Sequence, residues 1–301
     1  MNYREDWRRQ GYLVLPKALD KTRIAELQEL SEAAFAQWQQ ESTEENQPGG
    51  YAYGPTAWAL LHLNHPRYHR QHPERLPILL DAIAQPKVLG ILREIFQAEP
   101  TFMQSNLYIN PSGEDRIGNW HRDCQFYGPE SDAYEERTIA AEADPPRELH
   151  MHIPLVPTQV SEVVPGSHTR PDTPEENRIR RHDAFSDDMP GALKLKLEPG
   201  DLAFFHVNAL HRGQYQKDIL RRTIAVTFGS SNFLRPTTAE LMKNWRGYSA
   251  SYQPWIGGEG YLDGVAPETR DFFQNFIALY RDSWKPEYLD GLHPALQSYF
   301  K

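Results

Sequence analysis

Glu198-Pro199-Gly200-Asp201-Leu202-Ala203-Phe204-Phe205 reads as a tight turn leading into a buried strand. Pro and Gly punctuate the chain, and the apolar run that follows has strand length. Working outward, Thr101–Asn110, Leu149–Val156, Val160–Val164, Leu193–Leu197 and Thr223–Phe228 are further short β candidates. Pro111-Ser112-Gly113, Pro165-Gly166-Ser167 and Pro190-Gly191 separate them as turn signals. Short strands at such spacing predict a sandwich or barrel. Before this block, Gly11-Tyr12-Leu13-Val14-Leu15-Pro16 is a β-prone run closed by Pro, and Asp20 is placed to cap a helix beginning near Lys21. Ile24, Leu27, Leu30, Ala34 and Trp38 give that helix one apolar face. Residues 41–53 are polar and Gly-rich and read as a loop, while 76–84 and 86–96 read as helices, the second with Pro86 in first position. Thr269–Trp284 is the best helix after the β block. The expectation is a single domain over 1–301, with a helical layer over 1–100, a β core over 101–230 and a helical, aromatic-rich layer over 231–301.

Composition narrows the function. Lys and Arg total 32 against 41 Asp and Glu, a formal charge of -9, which argues against sequence-independent nucleic-acid binding. One cysteine, Cys124, excludes a disulfide framework and Cys-rich zinc modules. The N-terminal Met1-Asn2-Tyr3-Arg4-Glu5-Asp6 lacks the apolar core of a signal peptide, and no apolar run approaches the ~18 residues that cross a bilayer. A cytoplasmic protein acting on a small molecule is expected, without a membrane or nucleic-acid partner.

The chemistry-bearing words are Trp120-His121-Arg122-Asp123 and, far along the chain, His211. In His-x-Asp the imidazole and carboxylate fall on the same side of an extended chain. A second His from a distant strand would complete a two-His, one-carboxylate site, leaving an octahedral iron open to a bidentate co-substrate and oxygen. By itself the motif also reads as a surface turn pair. Eleven residues after His211 stands Arg222, on one strand face with Ile224, Val226 and Phe228. If that face is inward, its guanidinium needs an anionic partner, which a small dicarboxylate would supply.

With these residues in view, the chain resembles the phytanoyl-CoA dioxygenase family of iron(II)- and 2-oxoglutarate-dependent oxygenases, which includes the ectoine hydroxylases. The resemblance runs from Gly11-Tyr12-Leu13-Val14-Leu15-Pro16 to about Gly229. It includes Gln104-Ser105-Asn106, Trp120-His121-Arg122-Asp123, Val164-Pro165-Gly166-Ser167-His168, Pro199-Gly200-Asp201, and His211 with Arg222. It implies a double-stranded β-helix, or jelly roll, with helical flanks. It implies His121, Asp123 and His211 as catalytic iron ligands, Arg222 as partner of the distal 2-oxoglutarate carboxylate, and Gln104 and His150 lining the co-substrate site. It further implies hydroxylation of an unactivated carbon, with 2-oxoglutarate and oxygen converted to succinate and carbon dioxide. The chain departs from the family at Gly213, where a small hydroxyl residue is common, in a short Pro157–Glu162 connector, and in a long 127–147 segment. Halogenating relatives lack the carboxylate ligand, so Asp123 disfavours halogenation. The alternative is a cupin-type metal protein without 2-oxoglutarate turnover.

Other words carry weaker expectations. Phe126 and Tyr127 are candidate substrate walls, and His150 and His152 share a strand face that either meets co-substrate and substrate or holds interior histidines. His206 competes with His211 as a ligand, but the family spacing favours His211. The Arg170–Arg181 segment reads as a solvated loop, an anion grip or a lid. His62, His65, His69 and His72 read as a polar surface segment or pocket edge. Trp245, Trp255 and Tyr261 either pack the core or close the pocket. His121-Arg122-Asp123 imitates a kinase catalytic loop, but the Gly-rich loop, strand Lys and Asp-Phe-Gly it needs are missing in order.

Overall fold

The structure, a computed structural model, describes residues 2–41, 59–110, 116–126, 128–129, 131–215, 219–234, 237–239, 242, 251–290 and 297. A short helix precedes the first strand. In α1 (Tyr3–Gln10) the Asn2 side chain accepts the Glu5 amide, and Gly11 closes the helix at φ 72°. β1 (Tyr12–Leu15) follows, then α2 (Lys21–Glu41), where Asp20 caps by accepting the Arg23 amide at 2.8 Å. β2 (Ala59–Leu61), α3 (Arg75–Ile83) and α4 (Pro86–Phe96) lead to the long β3 (Pro100–Asn110). β4 (Arg116–Ile117), α5 (Asp132–Glu142), β5 (Glu148–Pro154), β6 (Thr158–Val163) and α6 (Pro174–His182) come next. β7 (Leu193–Leu197), β8 (Leu202–His206), β9 (His211–Tyr215), β10 (Arg221–Ser230) and α7 (Pro267–Tyr280) complete the order.

The strands build two sheets. One has six strands in the order β1-β8-β5-β10-β3-β2, and the other has four in the order β4-β9-β6-β7. Every pairing within them is antiparallel. β10 is hydrogen-bonded to β5 on one side and β3 on the other. This is the double-stranded β-helix expected from the sequence, with helices against it.

Strand alternation divides the large sheet into two chemistries. On its outer face Leu107, Ile109, Leu149, Met151, Ile153, Phe204, Ile224, Val226 and Phe228 join one apolar cluster with residues of α2, α3, α4 and α7. Phe102 is fully buried there, 5.3 Å from the Phe273 ring and 5.9 Å from that of Phe276 in α7. Burial of each such side chain contributes about 1.5–3 kcal/mol, so the helical layer holds the sheet from behind. The inner face, turned toward the small sheet, carries Tyr108, His150, His152, Phe205, Arg221, Thr223 and Thr227, as their cross-strand partnerships require. Ser161 of the small sheet meets His152 of the large one, Oγ to Nδ1, at 3.3 Å, which closes the two sheets on each other.

Several expectations change. The His62–His72 segment is a polar surface only at its end: His72 is exposed, but His62 and His69 are buried, and His62 packs edge-on to Trp255 at 5.3 Å. Tyr261 packs the core, one of the two roles expected of it, with its hydroxyl bonded to Asn64. The 170–181 arginines are solvated only in part: Arg178 is exposed, whereas Arg180 is buried. They sit on and beside α6, which opens with a Thr173/Glu176 capping box, and their guanidinium groups pair with Glu135, Asp172, Glu175 and Glu176. Tyr127, Trp245 and most of the 41–53 loop lie outside the described residues. Among the described residues no helix is long and apolar enough to cross a membrane.

Candidate metal centre

His121 and His211 meet because the backbone pairs them directly. His121 N donates to His211 O at 3.1 Å and His211 N to His121 O at 3.0 Å, an isolated antiparallel bridge. Their rings therefore lie side by side, centroids 4.3 Å apart. Each Nδ1 is engaged by a carbonyl two residues upstream, Asn119 O at 2.7 Å for His121 and Ala209 O at 2.9 Å for His211. A carbonyl can only accept, so Nδ1 carries the proton and each Nε2 keeps its lone pair. This orienting bond is the kind that metal-binding histidines make on the side away from the ion.

Asp123 opens a 3-10 turn, Asp123–Phe126, anchored by its amide on Val207 O at 2.9 Å. Its Oδ1 lies 3.4 Å from His121 Nε2 and 3.7 Å from His211 Nε2. The three donor atoms lie within 4.8 Å of one another. Metal–ligand bonds of about 2.1 Å at right angles separate donors by about 3 Å, so small closing movements would bring this set onto one octahedral face. The electrostatics agree. Burial alone would raise the Asp123 carboxyl, but its close contacts with His121 and His150 outweigh it and hold it well below the usual carboxylate range. Burial and the adjacent His121 push the His211 imidazole down to about 3, so it offers a lone pair near neutral pH. Two imidazole Nε2 atoms and one carboxylate suit a divalent first-row metal.

His150 of β5 stands behind Asp123. Its Nε2 reaches Asp123 Oδ2 at 2.9 Å and its Nδ1 meets the Thr227 hydroxyl at 2.9 Å. The expectation that it lines the co-substrate site is therefore supplemented by a contact to the ligand carboxylate. Gln104 lies beside this group, opposite Thr227 in the β3–β10 pairing. His152 is interior: burial lowers it well below its ordinary value, and it sits edge-on to Phe205 at 4.7 Å and to Tyr108 at 5.8 Å. Phe126 is half-buried with its ring 5.5 Å from that of His121, at the edge of the metal position. His206 is not a ligand candidate, since its Nε2 is bonded to Glu142 O, its Nδ1 accepts the Asn208 amide and its ring stacks on Trp7.

The expectation for Arg222 needs correction. It does share a face with Ile224, Val226 and Phe228, but that face is the outer one. Its guanidinium is paired with Glu32 of α2 and lies over the Phe35 ring at 5.1 Å. The inward place belongs to Arg221, which is 1% exposed and lies over Tyr108 at 5.0 Å with Nε 3.5 Å from the Thr223 hydroxyl. Rings link it to the metal ligands: Tyr108 to His152, His152 to Phe205, and Phe205 to His211 at 5.4 Å. Sequence reading also missed Arg122, Arg212, Asn208 and Asp172, buried groups packed around the ligand segments. The positions of Arg122 and Arg212, each next to a ligand histidine and so pointing away from the metal, were the available signal.

A family model described as Phytanoyl-CoA dioxygenase (PhyH) matches residues 7–217. No curated protein matches the chain. Among solved structures, AviO1 from Streptomyces viridochromogenes Tue57 is similar with a TM-score of 0.55 at 18% identity, covering 78% of this chain and 96% of that one. SnoN, a non-heme alpha-ketoglutarate-dependent epimerase from nogalamycin biosynthesis, gives 0.52 at 17% identity over 76% of this chain and 80% of its own. EctD from S. alaskensis with bound Fe gives 0.52 at 18% identity over 75% of each chain. At these identities the three share the fold.

Proposed function

The chain belongs to the phytanoyl-CoA dioxygenase family of iron(II)- and 2-oxoglutarate-dependent oxygenases, and from that premise we propose that it hydroxylates an unactivated carbon of a small molecule. The net reaction consumes the substrate C–H, 2-oxoglutarate and oxygen, and yields the alcohol, succinate and carbon dioxide. The observation that carries the reading is the convergence of two Nε2 lone pairs and one carboxylate oxygen, with both Nδ1 positions already engaged.

His121, Asp123 and His211 would hold the iron, which when bound supplies oxygen activation coupled to decarboxylation of the oxo acid. The chain does the rest. His150 and Thr227 fix the far oxygen of Asp123, so that Oδ1 is the one aimed at the metal. Arg221 offers a desolvated guanidinium on the inner face for the distal carboxylate of 2-oxoglutarate, a role the family spacing alone would give to Arg222. Phe126 and Phe205 line the ligand histidines and exclude water. The buried Arg221 also favours this reading over a cupin-type site, which needs no anionic co-substrate. SnoN is described as an epimerase, so the scaffold supports other outcomes, and product analysis decides between them. The arginines of the 170–181 segment are already paired with neighbouring carboxylates, which supports a substrate smaller and less charged than a polyanion. Iron(II) chemistry and a single buried Cys124 fit a reducing compartment such as the cytoplasm.

The test is succinate formation from 2-oxoglutarate under oxygen, with iron(II) supplied and a metabolite library screened for stimulation. Succinate should depend on iron and disappear in Asp123→Ala. Undiminished succinate in that variant would sink the assignment.

A further inference from the structure

The two histidine ligands sit on segments far apart in sequence, and their backbone bridge of two hydrogen bonds lies at the end of the β4–β9 pairing, which reaches it through Gly118 N donating to Gly213 O at 2.7 Å. The strands are held by that pairing, and beyond it two buried arginines are placed to tie together the turns on which the ligands stand.

Arg122 follows His121 and is fully buried. Its Nη1 crosses to the other ligand's segment, donating to Asn208 O at 2.5 Å and to Ser167 O at 2.7 Å. Its Nε and Nη2 grip Asp172 Oδ1 at 2.9 and 2.8 Å. Asn208 in turn accepts the Cys124 amide on its side-chain oxygen at 3.2 Å. The loop that carries His121 and Asp123 is thereby tied to the turn that delivers His211.

Arg212 follows His211 and makes the reciprocal crossing. It is 2% exposed and stacks over the ring of Trp120, the residue before His121, at 4.6 Å. Its Nη1 holds Ser186 O at 2.9 Å, the same oxygen that accepts the Trp120 indole N–H at 2.9 Å. Its Nε binds Glu162 at 2.7 Å and its Nη2 binds Asp187. Only a planar fork with several donors can serve this many acceptors at once, which is why lysine would not replace either residue.

We propose that Arg122 and Arg212 are a crossed pair of positioning residues: each stands next to one histidine ligand, clamps the segment bearing the other, and together they set the spacing of the metal site. This rests on the metal reading above. Because both clamps hold one spacing, losing either loosens it, and losing the second adds little.

The experiment measures Co(II) affinity anaerobically by calorimetry and by the visible absorption of the bound ion, in the parent, Arg122→Met, Arg212→Met and the double variant. Methionine keeps the stem's bulk. Asp172 retains Arg180 at 2.6 Å and Glu162 retains Lys194 at 3.3 Å, so neither carboxylate is stranded. Each single variant should lose Co(II) affinity about 10–100-fold, as orienting partners of metal ligands do, and the Co(II) spectrum should change. The double variant should lose far less than the product of the singles. Arg122→Lys and Arg212→Lys, which keep the charge without the fork, should show the same loss, and they carry the test if a methionine variant does not fold. Folded variants that bind within twofold of the parent, or losses that multiply, would overturn the proposal. Co(II) binding that survives His121→Ala undiminished would instead overturn the metal reading beneath it.

Discussion

Arg221→Met should weaken 2-oxoglutarate binding far more than Arg222→Met, although the two residues are neighbours on β10. The Arg221 guanidinium is almost wholly shielded from water and faces the interior between the sheets. Truncating one partner of a buried, hydrogen-bonded charge pair costs roughly 2–5 kcal/mol. At about 3 kcal/mol, and 1.4 kcal/mol per tenfold, the dissociation constant rises about 150-fold. Arg222 points the other way, to a Glu32 side chain that is 53% exposed. A pair with one partner open to solvent contributes about 1 kcal/mol to stability, and its guanidinium lies on the outer face. Its methionine variant should bind 2-oxoglutarate within about twofold of the parent. Calorimetric titration of 2-oxoglutarate into the iron(II)-loaded protein without oxygen reads both, with circular dichroism to establish folding. A folded Arg221→Met that keeps its affinity, or a loss that appears in Arg222→Met instead, refutes the assignment of faces.

Three further outcomes follow from named contacts. His150→Ala, which frees Asp123 Oδ2, should lower iron(II) affinity about 10–100-fold; calorimetry showing parental affinity would remove His150 from the support of the ligand. Acid should unfold the protein through its buried histidines. Burial lowers His62 and His206 to about 3, below their ordinary 6.5, so the unfolded chain binds more protons below about pH 6.5 and stability falls as pH drops. Each should contribute about 2 kcal/mol of loss at pH 5 relative to pH 7.5. His206→Gln should remove one such share from the urea-unfolding difference between those pH values, and an unchanged difference would contradict the account. Gly11→Ala should destabilise by at least ~2 kcal/mol, because φ is 72° and the new Cβ would lie 2.4 Å from His168 Nδ1; a thermal midpoint equal to the parent's would be the contrary result.

Much of this architecture can be read from the chain because its signals are local. Leu193–Leu197 and Leu202–His206 stand where the apolar runs and Pro-Gly turns place them. α5 and α6 are harder to read, since few apolar side chains mark a buried face. In α6 the capping box around Thr173 and Glu176 was the better clue. α1 buries only Trp7. The candidate metal ligands were legible because the His-x-Asp pattern and a distant histidine are what coordination chemistry asks for. The inward-facing arginine was not, because Arg221 and Arg222 are neighbours on β10 and the register of that strand in the sheet, which an interval counted from His211 does not fix, sets which of them turns inward. His150 and the crossed arginines depend on which segments the sheets bring together, and spacing along the chain does not encode that.

The place of β10 has a consequence for how the protein is made. It is the last strand among the described residues and sits in the middle of the large sheet, between β5 and β3. While the ribosome is still adding the intervening residues, β3 and β5 each wait with an open edge and an apolar flank. The nascent polypeptide is therefore most prone to self-association in that interval, and expression in cells should respond to chaperone supply more than the stability of the finished fold would indicate. Premature stops just ahead of Arg221 should give insoluble fragments, and the arrival of ten late residues converts two aggregation-prone edges into the centre of a sheet.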